Sequence, residues 1–183
     1  MKKYIFLTCS AVFFVGVLSS CDSQEARRPI SHTSGAFIKE SIERNKVLIN
    51  SEEEVFENLF KKDTINKYHQ ATKGYWYKYD VKQEEALPLP VRGDIVEYEY
   101  EIFDIDGKVI YTKEDTEPQR YLVDKENIMT GLRYGIKQMK EGEVVSFYFP
   151  SHIAYGYHGD KKDIGTNVPI ICKVQLNKII KSN

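Results

Sequence analysis

The chain is short of the residues that mark several functional classes. Its 183 residues include only three cysteines and one tryptophan, and 26 Lys and Arg residues face 27 Asp and Glu residues, for a formal net charge of −1. A nucleic-acid-binding surface needs clustered positive charge, so the lack of a basic excess predicts no nucleic-acid partner. A net charge this small does not indicate any particular class of binding partner. The length suits one ordinary domain with an additional segment.

Long hydrophobic runs are also scarce, and the most prominent one lies at the N-terminus. The run at 4–18 follows two lysines and is shorter than a typical transmembrane helix. A basic start, an apolar run and small residues before Cys21 follow the order of a bacterial lipoprotein signal. We expect residues 1–20 to be a signal peptide and Cys21 to carry lipid, which would hold the protein at a membrane of the cell envelope, facing the periplasm. The alternative is a plain signal peptide with Cys21 an incidental thiol.

The scarcity of cysteine fits this interpretation. Cys9 would leave with the signal peptide and Cys21 would be lipidated, so Cys172 alone would remain in the mature domain. A single cysteine excludes an internal disulfide there.

The segment after Cys21 divides into a tether and a helical region. Residues 21–35 are polar, contain Pro29 and lack periodicity, which is typical of a tether. Residues 36–73 are predicted to be helical, with apolar residues near helical spacing at Ile38, Ile42 and Ile49. This stripe predicts packing on the main domain or pairing with a second copy of the chain, and the sequence leaves both open.

A second helix start is predicted at residues 51–54. The sequence Ser51-Glu52-Glu53-Glu54 has the pattern of a capping box, and Phe56 lies in the apolar run that follows. Acidic residues are favoured in the first turn of a helix. We therefore expect the three glutamates to be a solvated helix start rather than a cation site.

From Gly74 onward the hydrophobic period changes from helical to two, which predicts strands. Val96, Tyr98, Tyr100 and Ile102 alternate with glutamates, as in a strand with one buried face. A helix is predicted around Leu132, Ile136 and Met139, with Thr130 as N-cap and Gly142 in the turn beyond it, and Asp106-Gly107 predicts a hairpin. The predicted fold is α+β, an antiparallel sheet with one short helix, built from strands at 74–79, 96–102, 108–111, 144–149 and 170–176.

The loop after the fourth of these strands carries residues that invite a catalytic interpretation. Ser151 with His152 or His158 could form a nucleophile and base, but Ser151 follows a proline at a strand end without the strand-to-helix turn of such nucleophiles. The spacing of the two histidines matches no common metal site. Neither hypothesis is favoured, and Arg92-Gly93-Asp94 is interpreted as a turn rather than an adhesion motif.

Several motifs together resemble those of FKBP-type peptidyl-prolyl cis-trans isomerases. The most diagnostic are GLRYGIKQMKEGE at 131–143 and FPSHIAYG at 149–156, and the order is completed by PVRGD at 90–94, Tyr100, DGK at 106–108 and VQL at 174–176. The resemblance covers about 110 residues, a span typical of one domain, and implies an FKBP-like domain at 74–183. With the lipoprotein signal and GYWYKY at 74–79, the whole chain resembles the FKBP-like lipoproteins of gliding Bacteroidetes.

The resemblance implies a site for proline-containing polypeptides of the cell envelope, without metal or cofactor. By position, the hydroxyl of Tyr155 and the backbone N–H of Met129 would be hydrogen-bond donors, and Tyr100 would line the floor of the pocket. The remaining pocket residues implied are Ile110, Tyr111, Tyr121, Ile128, Met129, Leu132, Ile164 and Cys172.

This chain departs from the family pattern at several pocket positions. The family usually has Asp at the position of Tyr111, Trp at that of Leu132, Phe at those of Gln119 and Cys172, and a proline pair at 165–166. Two functions therefore remain open from sequence, namely an isomerase that assists the folding of exported proteins and a catalytically weak peptide-binding chaperone or structural component of a motility apparatus.

Overall fold

The computed structural model describes residues 34–182. The predicted signal peptide, the predicted lipid on Cys21 and most of the predicted tether lie outside these residues. Glu40–Asn183 forms one compact unit, and the packing described below is that of this unit. Within the described part, no helix combines the length and apolar character needed to cross a bilayer.

The first helix, α1, is a single uninterrupted element that runs from Ser34 to Lys62. It ends with Lys61 and Lys62 in its last turn, where positive charge favours a helix C-terminus. The helical prediction to residue 73 fails beyond this point, because the carboxylate of Asp63 accepts hydrogen bonds from the backbone N–H groups of Ile65 and Asn66 and turns the chain.

The predicted helix start at Ser51 is wrong. Ser51 lies inside α1, and its hydroxyl donates a 2.7 Å hydrogen bond to the carbonyl of Leu48 instead of capping a new helix. Glu52 is not solvated either, since only 5% of it is exposed. The pattern of a capping box is present, but the preceding turn is already helical, so no N-terminal N–H groups need a cap.

Seven antiparallel strands follow, in one sheet with the order β1-β2-β6-β7-β3-β4, and β5 pairs with β3 beside β4. A short helix, α2 (Lys113–Thr116), separates β4 from β5, and α3 (Thr130–Gly135), extended by a 3-10 turn to Gln138, follows β5. The strands are β1 His69–Ala71, β2 Tyr75–Val81, β3 Ile95–Phe103, β4 Val109–Tyr111, β5 Gln119–Leu122, β6 Val144–Phe149 and β7 Ile170–Ile180. The predicted α+β class and antiparallel sheet are confirmed, whereas β1, β5 and α2 were not predicted.

The turns expected at glycines are confirmed at two positions. Gly107 has a φ of +83° and donates its N–H to the carbonyl of Asp104 in the β3–β4 hairpin. Gly142, also at +83°, donates to the carbonyl of Leu176 and ends the segment that follows α3. Both need the left-handed backbone that glycine adopts without strain.

The main core lies between one face of the sheet and α3. Leu132, Ile136 and Met139 are buried there, as their spacing predicts. Thr130 is not the N-cap, because that position is taken by Met129, which makes no side-chain cap. The strand residues of this core include Tyr75, Val96, Tyr98, Ile102, Val145, Phe147, Phe149, Ile170, Cys172, Val174 and Leu176.

The C-terminal half of α1 packs against the opposite face of the sheet. Phe56 is fully buried against Trp76 of β2 and Tyr148 of β6, with ring centroids 5.8 and 5.9 Å apart. Phe60, one turn further, meets Tyr148 edge to face at 5.0 Å. Aromatic pairs in such tilted and edge-on arrangements stabilise beyond their buried area. The C-terminal half of α1 is therefore packed on the FKBP-like domain.

Asp94, just before β3, holds the segment that follows β7 by hydrogen bonds. It is 1% exposed, and its carboxylate accepts hydrogen bonds from the N–H groups of Val91 and Ser182 and from the ammonium of Lys181. The turn predicted for Arg92-Gly93-Asp94 is present, with Gly93 at a φ of +95°. Because the Val91 N–H and Lys181 both favour the charged carboxylate, the pKa of Asp94 falls from 3.8 to about 2.

We expect Asp94→Asn to lower the melting temperature at pH 7 and to flatten its acid dependence. A carboxyl whose pKa is depressed by folding stabilises the native state above its unfolded pKa and loses that contribution as pH falls through the folded one, here between about pH 4 and pH 2. Thermal unfolding followed from pH 7 to pH 2 measures this. Asp106→Asn, at an exposed hairpin position, is the control, and an equal change of slope in both variants would contradict the assignment.

Candidate active site

The loop that follows β6 turns back over the end of the sheet. After Phe149 and Pro150 it forms two 3-10 turns, Ser151–Ile153 and Gly156–His158, with Tyr155 between them. The turns are closed by hydrogen bonds from the N–H of Ala154 to the carbonyl of Ser151 and from the N–H of Gly159 to the carbonyl of Gly156. The Gly156 carbonyl also accepts the N–H of Asn167, from later in the same loop. This loop presents Tyr155 to the space beside β3 and β4.

A cavity of about 240 Å³ lies at this place. Three of its lining residues, Tyr100, Tyr111 and Tyr155, are members of the predicted site, which the structure therefore brings together in part. The other four were not predicted, and they are all polar or charged: Asp115, Thr116, Asp160 and Lys162.

The hydroxyl of Tyr155 is suited to donate a hydrogen bond to a bound carbonyl. Burial, and then the proximity of Tyr100 and Cys172, raise the pKa of Tyr155 well above its usual value, so the phenol keeps its proton at neutral pH. No hydrogen bond between the Tyr155 hydroxyl and another described residue contributes to this shift in pKa. A half-buried phenol at a cavity wall is a donor that a ligand can use.

Tyr111 and Asp160 form a hydrogen-bonded pair in the lining of the cavity. The Tyr111 hydroxyl donates to the Asp160 carboxylate, which raises the pKa of Tyr111 to about 12. Burial alone would raise the pKa of Asp160, but it is lowered on balance by Tyr111 and by the backbone N–H groups of Lys162 and Ile164, at 2.8 and 2.9 Å. A carboxylate is thus present beside Tyr111, at the position where the family usually has Asp, but it comes from Asp160.

The remaining predicted pocket residues do not line this cavity. Ile110, Ile128 and Met129 are half-buried against the core. The side chains of Tyr121, Leu132, Ile164 and Cys172 are at most 3% exposed and belong to the core itself. The structure places these residues in the core or against it and not in the lining of this cavity, and their role as walls of a prolyl pocket stays a prediction.

The core position of Cys172 also decides its reactivity. Burial raises the pKa of the thiol strongly, and the thiolate is the reactive form. Cys172 is therefore a packing residue of the core beneath Tyr155, and the structure gives it no role as nucleophile or metal ligand.

The polar residues of the cavity that were not predicted from the sequence are positioned by a helix cap, a hydrogen bond and a loop. Thr112 and Asp115 form a reciprocal capping box at the start of α2, so the pattern Thr-x-x-Asp could have revealed this helix. Thr116 at its end donates to the carbonyl of Tyr100 at 2.7 Å and so lies at the cavity. Asp160 and Lys162 lie in the loop after Gly159, where the sequence has no hydrophobic periodicity from which their position could be predicted.

The alternative interpretations of Ser151, His152 and His158, in the loop after β6, find no support. Ser151 is 1% exposed, and its hydroxyl donates to the carboxylate of Glu52 rather than to a histidine. His152 and His158 are exposed. Within residues 34–182, no cluster of three or more His, Cys, Asp or Glu side chains could hold a metal ion.

A second cavity, of about 390 Å³, lies between Leu87–Pro88 and the end of β7 at Asn177 and Ile179. It is larger, but it contains none of the predicted site residues and no aromatic side chain. The smaller cavity, with a protonated phenol and two further tyrosines, is the better candidate for binding a prolyl peptide.

Comparison with known proteins supports the same conclusion. Residues 88–177 match the sequence model of the FKBP-type peptidyl-prolyl cis-trans isomerase family. Over 140 residues the chain is 29% identical to a probable FKBP-type peptidyl-prolyl cis-trans isomerase FkpA of Neisseria meningitidis serogroup B, which covers 76% of this chain and 50% of the relative. The chain therefore spans about half the length of this curated relative.

Solved structures show the same fold. The chain resembles a peptidyl-prolyl cis-trans isomerase of Pseudomonas syringae pv. tomato with a TM-score of 0.58 and 20% identity, over 74% of this chain and 96% of the other. It resembles FkpA of Escherichia coli with a TM-score of 0.59 and 21% identity, over 100% of this chain and 84% of the other. The fold, the motifs and the family match agree, and residues 88–177 are similar to the FKBP-type peptidyl-prolyl cis-trans isomerases.

Proposed function

We propose that this protein catalyses the cis-trans isomerisation of Xaa-Pro bonds and so assists the folding of exported, proline-containing polypeptides. The observation that carries the proposal is that Tyr155, whose phenol keeps its proton, lines a cavity together with Tyr100 on an FKBP-like fold. Isomerisation involves no bond to a nucleophile, so these side chains can suffice for it.

The chemistry explains why such a site works. Rotation about an Xaa-Pro bond disrupts amide resonance, and the barrier to rotation in peptides is about 18–20 kcal/mol. The twisted amide carries less charge on its oxygen than the planar one, so a half-buried aromatic wall disfavours the planar form relative to the twisted form. The Tyr155 hydroxyl orients the peptide carbonyl, and Tyr100 provides the apolar surface against which the prolyl ring lies.

The test is an isomerisation assay on peptides with several residues before proline. We expect the wild-type protein to be active and Tyr155→Phe to lower kcat/KM by about threefold to tenfold, since a neutral hydrogen bond contributes about 1 kcal/mol. Tyr157→Phe is a matched control, because Tyr157 lies in the same loop and is 73% exposed. Equal activity of Tyr155→Phe and Tyr157→Phe would remove Tyr155 from the mechanism.

A second function is favoured by the composition of the cavity. Asp115, Thr116, Asp160 and Lys162 line a small space, and the aromatic side chains usual in the family are missing at Gln119, Leu132 and Cys172. These features favour a catalytically weak, peptide-binding chaperone or a structural component of a motility apparatus. Absence of isomerisation across all peptides, together with saturable binding of the same peptides, would support this second function.

The biological setting is proposed from the sequence outside the described residues. The basic start, the apolar run and the small residues before Cys21 support a lipid-anchored protein at the cell envelope, and the whole chain resembles GldI, a lipoprotein associated with gliding motility. Incorporation of labelled fatty acid, lost in Cys21→Ser, tests the anchor. A gliding defect on deletion, with or without rescue by Tyr155→Phe, tests the link to motility and its need for catalysis.

We also propose that α1 pairs with a second copy of the chain. Ile38 and Ile42 lie four residues apart on one face of its N-terminal half and are 53% and 49% exposed, and an exposed apolar stripe on a helix favours association. Light scattering measures the mass in solution, and a monomeric mass would contradict the pairing.

A further inference from the structure

We infer that Glu52 of α1 is a positioning residue for the active-site loop, holding through Ser151 the segment that carries Tyr155. This inference rests on the proposed isomerase function and adds the N-terminal helix to the parts on which that function depends. Glu52 and Ser151 are 99 positions apart in the sequence.

The contact uses both oxygens of the Glu52 carboxylate. One oxygen accepts the backbone N–H of Ser151 at 2.8 Å, and the other accepts the Ser151 hydroxyl at 2.6 Å. Glu52 is 5% exposed and Ser151 is 1% exposed, so both hydrogen bonds are shielded from water. Hydrogen bonds to a charged acceptor in a shielded place are short and strong, and they fix orientation as well as distance.

The carboxylate is itself held in place by packing. Phe56 lies one helical turn after Glu52 and is completely buried between Trp76 and Tyr148. Residues four apart on a helix share a face, so the burial of Phe56 turns Glu52 toward the sheet. Tyr148 is followed within three residues by Ser151, which brings the carboxylate to the start of the loop.

The loop transmits this position to the cavity within a few residues. Ser151 begins the 3-10 turn Ser151–Ile153, and its carbonyl accepts the N–H of Ala154 at 3.0 Å. Ala154 is bonded directly to Tyr155. A shift of Ser151 therefore displaces the backbone that aims the Tyr155 hydroxyl, and displacements of about 1 Å at a reacting group can lower rates by about a hundredfold.

The test compares three variants in the isomerase assay and in ¹⁵N NMR of the loop amides. Glu52→Ala leaves the Ser151 N–H and hydroxyl without a partner, and we expect kcat/KM to fall by about fivefold or more while the amides of residues 151–156 become broadened. Glu52→Gln is expected to stay within about twofold of wild type, because its carbonyl can accept the N–H and its NH₂ can donate to the hydroxyl oxygen. Glu54→Ala, at an exposed site on the same helix, should match wild type.

The two readouts separate the inference from the proposed function. If the wild type shows no isomerisation, the proposed function fails, and the NMR comparison of Glu52→Ala with Glu52→Gln still decides whether Glu52 positions the loop. Unchanged loop amides in Glu52→Ala, or a glutamine variant as defective as the alanine variant, would overturn the inference. Should Glu52→Ala not fold, Glu52→Met, which has a similar length but lacks both carboxylate oxygens, takes its place, and sharp, unshifted amides at 151–156 in that variant would equally overturn the inference.

Discussion

Gly159→Ala is expected to lower the free energy of unfolding by about 3 kcal/mol or more and to abolish peptide binding at the cavity. Gly159 has a φ of +60° and a ψ of −165°, a region that is almost restricted to glycine. A Cβ there would lie 2.3 Å from the carbonyl oxygen of Ile164 and 2.9 Å from that of Gly165. Both are backbone atoms, so the loop must open to make room.

The loss of binding follows from what this loop holds. The N–H of Asp160, next to Gly159, donates to the carbonyl of Ile164 at 3.0 Å, and Asp160 in turn receives the Tyr111 hydroxyl at the cavity. Opening the loop at residue 159 therefore moves Asp160 away from Tyr111 and changes the lining of the cavity. Urea unfolding measures the stability, and titration with an Xaa-Pro peptide measures the binding.

Gly156→Ala is the matched control for this prediction. Gly156 lies in the same loop with the same φ of +60°, but the atom nearest to an added Cβ is the carbonyl oxygen of Ser151 at 3.9 Å. The control therefore carries the cost of a left-handed alanine, about 1 kcal/mol, without the collision. Equal losses in the two variants would show that the φ angle alone, and not the contact with Ile164, restricts residue 159.

Gly135→Ala is expected to lower the free energy of unfolding by about 1–3 kcal/mol, although alanine is the better helix former. An added Cβ would lie 2.8 Å from carbons of the Phe147 ring. Phe147 is 1% exposed, stacked on Phe149 at 5.4 Å and met edge-on by Tyr75 at 6.0 Å. The ring cannot move away, so α3 must shift from the sheet.

Gly35→Ala separates this packing effect from helix propensity. Gly35 lies in α1, and an added Cβ would meet nothing within 4 Å. This variant should be neutral or more stable by up to about 1 kcal/mol. If Gly135→Ala were stabilised to the same extent in urea unfolding, the close approach of α3 to β6 would be contradicted.

The clearest strand prediction came from a period of two that is set by burial on one face. In β3, Val96, Tyr98 and Ile102 are buried and alternate with glutamates, so the pattern can be recognised without knowing the partner strands. β1 and β5 have three and four residues. They are held by pairing with β2 and β3, which short segments do not encode by themselves.

The site was predictable only where a motif carried it. Tyr100 and Tyr155 were identified from family motifs, whereas Asp160 reaches the cavity through the backbone turn at Gly159 and its bond to Tyr111. Glu52 shows the same limit more strongly, because a pattern typical of a helix start conceals a buried contact with Ser151. Such contacts depend on how segments that are distant in the sequence pack together, and local sequence periodicity does not predict them.

The only tryptophan of the chain lies where α1 meets the sheet. Trp76 is 7% exposed and touches Phe56 and Phe60 rather than the cavity of Tyr155. Its emission is consequently an intrinsic optical reporter of helix detachment, and it should remain nearly silent when a peptide enters the opposite side. A red shift of this emission after proteolytic cleavage of the N-terminal segment would show that Trp76 has become exposed and that α1 has left the sheet, without any added label.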